Sequence, residues 1–415
     1  MNDQLNFLHI NASDIRWGAS LSAYRLHKAL LESGYGSHIY CGLKESSGRD
    51  VTSIVPGRYG YIPNALVGKF FNLLGLQSFG YPSSFFIKNF ALFGEWADIT
   101  VIKNIHWWYF SMDVLPWISE KTPIIWRLTD MWPFTGHCAF SYECARWQTG
   151  CGNCPNLSDY PGLYIDTTNF LFKRKKKIFE SLKGKLTFVA PSNWLKNITE
   201  NSPLTKDFPC EYIPTAVDLA VFKPIDKSTA RHVLGINEED KVIMFSSFKL
   251  SEKRKGGLEF VEVIKSLSEQ TDFPITVLLV GGGDFSFSFP PNIKVVKVGF
   301  IGDDRLLSLC YGVSDVYLSM SKADNLPNTL IEALACGTPI ITLDSGGCRD
   351  AVVSEETGYV ASNSQEVIAS LKELLTDNSK STDFSKRSRT LAQKRFSMEA
   401  QVESYAALAQ KIKGN

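Results

Sequence analysis

The residue types best suited to chemistry gather in "ADNLPNTLIEALACGTPIITLDSGG", residues 323–347. Two carboxylates, Asp324 and Glu332, stand at the front of a predicted helix, with Pro327 just inside its start and Gly337 just past its end. Leu330, Ile331, Leu334 and Ala335 recur with helical spacing and predict a buried face. Asp324 falls on the approach loop and Glu332 a turn or so further in. Local rules leave two readings open: a capping acid beside a solvated one, or two ligands for a group that docks on the helix N-terminus, where free N–H groups favour anions.

Other stretches pose similar alternatives. In "SFKLSEKRKGGLEFVEVI", Lys249, Arg254 and Lys255 follow a strand and precede a Gly pair. They could neutralise a diphosphate and stabilise its departure, or line a solvated loop. In "DIRWGASLSAYRL", the N–H groups of Gly18, Ala19 and Ser20 could hold an anion at a helix start, or form an ordinary turn. The glycines of "LLVGGGDF" mark a close approach of backbone to a ligand or to another strand. They lack the spacing of a dinucleotide fingerprint. In "IHWWYFS" and "WRLTDMWPFTGH", His106, Asp130 and His137 follow strands among Trp107, Trp108, Trp126 and Trp132. That grouping reads as a sugar-binding mouth with Asp130 on an acceptor hydroxyl, against histidines that are merely structural. Cys138, Cys144, Cys151 and Cys154 fall in one loop-like stretch ending in C-x-x-C, a structural zinc site or else reduced or disulfide-paired thiols. "NFLFKRKKKIFESLKGK" joins five consecutive basic residues to Phe170, Phe172, Ile178 and Phe179, a membrane-surface helix or a solvated face. The Phe-rich stretch from Val67 to Phe90 favours peripheral membrane contact and a lipid-linked acceptor.

The elements that position these residues alternate. "NFLHI", "SHIYC", "DITVI", "PIIWRL" and "LTFVA" read as strands separated by helical patterns. The rhythm restarts after Pro214 with "KVIMFSS", "ITVLLVGGG", "IKVVKVGF", "VYLSM" and "PIITL". Strand-then-helix repetition predicts α/β architecture with parallel sheets. The expected division is a domain over residues 1–213 and a second over 214–394, with the proline-marked stretch Cys210–Pro224 as linker and a helix at 395–415. A chain of 415 residues suits two cores. Two such units would hold a substrate beyond the carboxyl ends of their strands, in a cleft between them. A net charge of +1 gives no global pull toward nucleic acid. The start has neither the basic nor the apolar region of a signal peptide, and no run reaches the roughly 18 apolar residues of a membrane span. Nine cysteines without such a signal predict a reducing, cytoplasmic setting.

The order of these motifs resembles the family 4 retaining glycosyltransferases, which have the GT-B fold of two facing Rossmann-like domains with a cleft between them. The strongest part is "ADNLPNTLIEALACGTPIITLDSGG", similar to that family's E-x7-E region; "SEKRKGG", "IPTAVDLAVFKP" and "VAPSNWL" follow in the family's order. "LTDMWPFTGHCAFSYECARWQTGCGNCPNL" is similar to an exopolysaccharide and lipopolysaccharide subgroup that shares the four cysteines. The resemblance implies a first, acceptor-side domain and a second that binds a nucleoside-diphosphate sugar, a UDP-sugar before a GDP-sugar. It implies Glu332 on the ribose and Asp324, where the family has Glu, on the donor sugar. Backbone N–H groups of Asn325 and Leu326 would lie against sugar and diphosphate, with Lys255 and Lys249 or Arg254 on the diphosphate. Gly18 and Ala19 match the first-domain glycine loop, which reads Trp17-Gly18-Ala19 here, and His106 the cleft histidine. No metal is expected at the reaction centre. The acceptor would be a glycan or lipid-linked sugar at the inner membrane surface, in bacterial cell-surface polysaccharide synthesis, and the final helix would pack back on the first domain. A non-catalytic nucleotide-sugar-binding protein, or another enzyme of this fold such as a sucrose-type synthase or nucleotide-sugar epimerase, is the rival reading.

Overall fold

Apolar runs that become buried on both faces pair here as parallel strands. In the first group these are β1 (Asn6–Ser13), β2 (Gly36–Leu43), β3 (Val51–Ser53), β4 (Ile99–Ile102), β5 (Ile124–Arg127), β6 (Leu186–Ala190) and β7 (Cys210–Tyr212), in the order β3-β2-β1-β4-β5-β6-β7. The second group holds β8 (Lys241–Lys249), β9 (Ile275–Gly282), β10 (Ile293–Gly299), β11 (Val316–Ser319), β12 (Ile340–Leu343) and β13 (Gly358–Ala361), ordered β10-β9-β8-β11-β12-β13. The structure is a computed structural model that describes residues 4–54, 61–79, 95–106, 109–283 and 288–414. Its two compact units are Met1–Pro214 with Glu399–Asn415, and Thr215–Met398. Each is an α/β unit of the Rossmann type. Strand order reverses once in each sheet, between β1 and β4 and between β8 and β11. At such a switch point the connections leave in opposite directions and open a crevice at the strands' carboxyl ends.

The C-terminal helix, Met398–Lys413, completes the first unit. Val402, Tyr405, Leu408 and Ala409 pack with Phe7, Leu26, Val101, Ile125 and Val189 on one face of the sheet. Arg127 donates to the Ile213 carbonyl at 2.8 Å and to the Tyr405 hydroxyl at 3.4 Å, and Gln401 donates to the Pro214 carbonyl. At the far end Lys413 pairs with Asp98 at 2.8 Å.

Two sequence expectations are corrected. Cys210–Tyr212, expected to begin the linker, is an edge strand on β6 in the register Phe188↔Cys210. Three residues between prolines are too few to show a period. The Thr168–Ser181 helix is not a free basic amphipathic segment, because Leu171, Phe172, Ile178 and Phe179 all lie in the first unit's core. Lys175 is fully buried and donates to the carbonyls of Trp132 at 2.6 Å and Thr135 at 2.9 Å. Arg174 pairs with Asp113 at 2.9 Å, which leaves Lys173, Lys176 and Lys177 as the solvated basic residues.

Candidate functional site

In the second unit the crevice lies between the loops after β8 and β11. β8 ends at the exposed Lys249, and a short helical turn, Lys253–Lys255, leads to Gly256. Gly256 has φ 73°, and a Cβ there would strike the Met320 carbonyl, so only glycine lets this loop lie on the end of β11. The Lys322 N–H donates to the Arg254 carbonyl at 2.8 Å, tying the two loops together. The result brings together groups distant in sequence: the Lys255 ammonium lies 2.5 Å and the Arg254 guanidinium 3.0 Å from Asp324 Oδ2. Arg254 is further braced by Glu252 at 2.9 Å and by the Ala323 carbonyl at 2.8 Å. Burial acts to raise the Asp324 carboxyl; the two cations overcome it and hold the group at about 2. A phosphate arriving here would compete with Asp324 for both cations, and the carboxylate would be released to accept from a hydroxyl.

Asn325 and Leu326 precede the helix rather than capping it from inside. The helix runs Asn328–Ala335 behind Pro327, and the Asn325 N–H donates to Asp324 Oδ1 at 3.1 Å. Glu332 is buried on that helix and accepts from the Tyr311 hydroxyl at 3.1 Å. Burial and the Glu332 charge push the Tyr311 hydroxyl well above its ordinary value, so it stays a donor. The first glycine of the triple run meets a strand: a Cβ on Gly281 would collide with the Ser247 carbonyl of β8.

In the first unit Gly18 opens the Gly18–Glu32 helix, with Ala19 half-buried behind it. The residue before it, Trp17, holds φ 67° and ψ 158°, a region that is essentially glycine-only. After β4 and β5, His106 Nε2 lies 3.7 Å from Asp130 Oδ2. Asp130 is fixed by the Trp132 N–H at 2.9 Å and the Thr129 hydroxyl at 3.1 Å. Burial lowers the His106 imidazole against the opposing pull of Asp130. A neutral ring and a carboxylate side by side can orient a hydroxyl and take its hydrogen bond.

The expected aromatic mouth does not form as read. Trp126 and Trp132 are each 1% exposed and belong to the core. Trp107 and Trp108 lie outside the described residues, as do 80–90 of the Phe-rich stretch. His137 departs from the other two polar residues: it joins the cysteines, with Nε2 3.3 Å from Cys154 Sγ and Nδ1 3.2 Å from the Pro161 carbonyl. Cys138, Cys144, Cys151 and Cys154 line one small cavity with it, and the Gly136 N–H donates to Cys151 Sγ at 3.2 Å. All four are free, and burial pushes the Cys138 thiol up to about 12. The donor chemistry would suit zinc, but no group of three or more His, Cys, Asp or Glu among the described residues is arranged to hold a metal ion.

Sequence reasoning passed over His9, within β1, and read Lys103, the first residue after β4, only as a departure from histidines of the resembled subgroup; both are buried in the first unit. A charge closing an apolar strand run was the available signal for Lys103.

Comparison with known proteins places this geometry. Residues 226–391, most of the second unit, match the family described as Glycosyl transferases group 1. Over 391 residues the chain is 24% identical to WcaC of Escherichia coli (strain K12), named for glycosyl transfer in colanic acid biosynthesis; the match covers 88% of this chain and 89% of WcaC. In fold the chain is similar to the sucrose-phosphate synthase of Thermosynechococcus elongatus, with a TM-score of 0.69 at 18% identity over 98% of this chain and 99% of that one. It is also similar to Anabaena HepE, solved in complex with UDP-glucose, with a TM-score of 0.62 at 15% identity over 98% and 100% of the two chains. The two Rossmann-like units are thus those of the GT-B fold class.

Proposed function

We propose that the protein is a retaining glycosyltransferase that moves a sugar from a nucleoside-diphosphate sugar to a glycan or lipid-linked acceptor in bacterial cell-surface polysaccharide synthesis. A UDP-sugar is the favoured donor and a GDP-sugar the next. The observation that carries this reading is the meeting of Arg254, Lys255 and Asp324 at the β8–β11 switch point, inside the segment that matches group 1 glycosyl transferases. The likeness to WcaC supports the polysaccharide context, and the UDP-glucose held by HepE supports the donor class.

In this reading the diphosphate takes Lys255 and Arg254 from Asp324, and Asp324 turns to a hydroxyl of the donor sugar. Glu332 holds the ribose. As the bond from the anomeric carbon to the diphosphate oxygen breaks, the two cations stabilise the charge that develops on the leaving group. The acceptor oxygen bonds to the anomeric carbon on the same face, and its proton passes to the departing phosphate. His106 and Asp130 orient the acceptor hydroxyl.

Purified protein titrated with UDP and GDP should gain thermal stability, because a ligand of the folded state raises the midpoint. Incubated with radiolabelled UDP- and GDP-sugars and a glycolipid extract, it should pass label to the lipid fraction. Lys255→Ala should cut that transfer about a hundredfold or more, by analogy with loss of one charge-stabilising donor. Transfer at the wild-type rate by Lys255→Ala would sink the reading. UDP stabilisation without turnover of any donor would favour a binding protein instead.

Membrane contact belongs to the same proposal. No helix among the described residues is long and apolar enough to cross a membrane. The Tyr61–Leu73 helix nevertheless exposes Leu66, Phe70 and Leu73, one helical face, followed by Leu74. The Thr167 hydroxyl donates to the Gly75 carbonyl, which ties the stretch after this helix to the start of the Thr168–Ser181 helix, where Phe170 is exposed.

A further inference from the structure

Among the described residues, polar atoms buried with no hydrogen-bond partner concentrate at the carboxyl end of the first sheet: both ring nitrogens of His9, Nζ of Lys103, Oδ1 of Asn104 and Nε2 of His106. Register explains why they meet. His9 pairs with Val101, and Val101 with Ile125. Two residues further along, where side chains return to the same face, Asn11, Lys103 and Arg127 stand level across β1, β4 and β5. The Lys103 N–H donates to the Ile10 carbonyl at 3.0 Å, which holds that level just past the end of β4. This row crosses the β1–β4 switch point.

Its outer members are satisfied. Asn11 donates to the Ser13 carbonyl at 2.8 Å and accepts from the Asn104 N–H at 3.3 Å; Arg127 is held by Ile213 and Tyr405. The middle member is not. Lys103 is 3% exposed, its neighbour His9 is fully buried, and the Arg127 guanidinium repels a charge on Lys103. Burial lowers the Lys103 amine, with Arg127 adding to the effect. A buried ammonium is tolerated only beside an opposite charge, and native folds give such groups a ligand or water. The donors here, Lys103 Nζ and one N–H of the His9 ring, suit an anionic oxygen.

We propose that the β1–β4 switch point is an anion subsite in which Lys103 and His9 take a carboxylate or phosphate group, so that the acceptor is an acidic or phosphorylated sugar. The word acceptor rests on the transferase reading; the anion subsite does not.

Calorimetric titration of the full chain with inorganic phosphate and with D-glucuronate tests it. At least one should bind, and Lys103→Met, which keeps the length and removes the charge, should weaken that binding roughly tenfold or more. His9→Phe should weaken it as well. Repeating the titrations on Lys255→Ala identifies anion held by the second unit, since only that fraction is lost there. Phosphate alone binding assigns a phosphorylated sugar, and glucuronate alone an acidic one. Because Lys103→Met replaces an unpaired buried amine with an apolar group, its melting temperature should equal or exceed the wild type's. A marked drop would mean that water or protein already satisfies Lys103, and would overturn the proposal. So would Lys103-independent binding, or no binding of either anion. Lys103-dependent anion binding in a protein that transfers no sugar would leave the subsite standing and remove the transferase reading.

Discussion

Asp324 sits between two cations in a crevice, and its charge has a pH signature. Its folded value of about 2 lies below the ordinary 3.8, so the stabilisation it provides is fully present above about pH 4 and is lost as pH falls through 2. The shift corresponds to roughly 2 kcal/mol. Asp324→Asn should therefore melt well below the wild type at pH 7, and the gap should close between pH 4 and pH 2, as followed by circular dichroism. A gap independent of pH would mean that the cations do not hold this carboxylate. Trp17 makes a second residue-scale case. Both Trp17→Gly and Trp17→Ala remove the indole, but only glycine adopts φ 67° and ψ 158° without strain. The glycine variant should retain about 1–2 kcal/mol more stability than the alanine one in urea denaturation. Equal losses would show that the turn relaxes once the ring is gone.

At the scale of elements, the sequence was most legible where periodicity ran long. β1, β6, β8 and β9 coincide with apolar runs because parallel strands are buried on both faces. β3 and β7, of three residues each, carry too little pattern to be seen, and β13 opens on Gly358 and has a single valine as its β-branched residue. The chemistry was legible in its residue types and much less in its partners. Arg254 and Asp324 are visible as separate motifs, but their pairing depends on the adjacency of β8 and β11, which no local spacing reports. Trp126 and Lys175 were misread for the opposite reason, since type alone suggested surface roles while both are packed inside. The basic helix changes its prediction accordingly. Removing the solvated Lys173, Lys176 and Lys177 charges with glutamine should weaken binding to anionic liposomes by roughly a hundredfold in co-sedimentation, at about 1 kcal/mol per basic residue near the surface. Arg174, held by Asp113, should contribute less. Unchanged sedimentation would remove the membrane contact from the proposal.

At the scale of the molecule, the chain leaves the first unit at Pro214, builds the second, and returns to the first with its last seventeen residues, Glu399–Asn415. A chain ended at Met398 would lose Val402, Tyr405, Leu408 and Ala409 from the sheet's face, on the order of 5 kcal/mol of apolar burial. That approaches the stability of a whole domain. Such a truncation should abolish cooperative melting of the first unit, while the fragment 215–398 should keep the stabilisation by UDP. Cooperative melting of both units in the truncated chain would show the helix to be an accessory. The same return sets the order in which the protein is made. A ribosome releases the first sheet early, but Phe7, Val101, Ile125 and Val189 stay uncovered while the second unit is made, because the helix that covers them follows it in the chain. The unit begun first is thus completed only after the second has been made, and until then it presents an open apolar face.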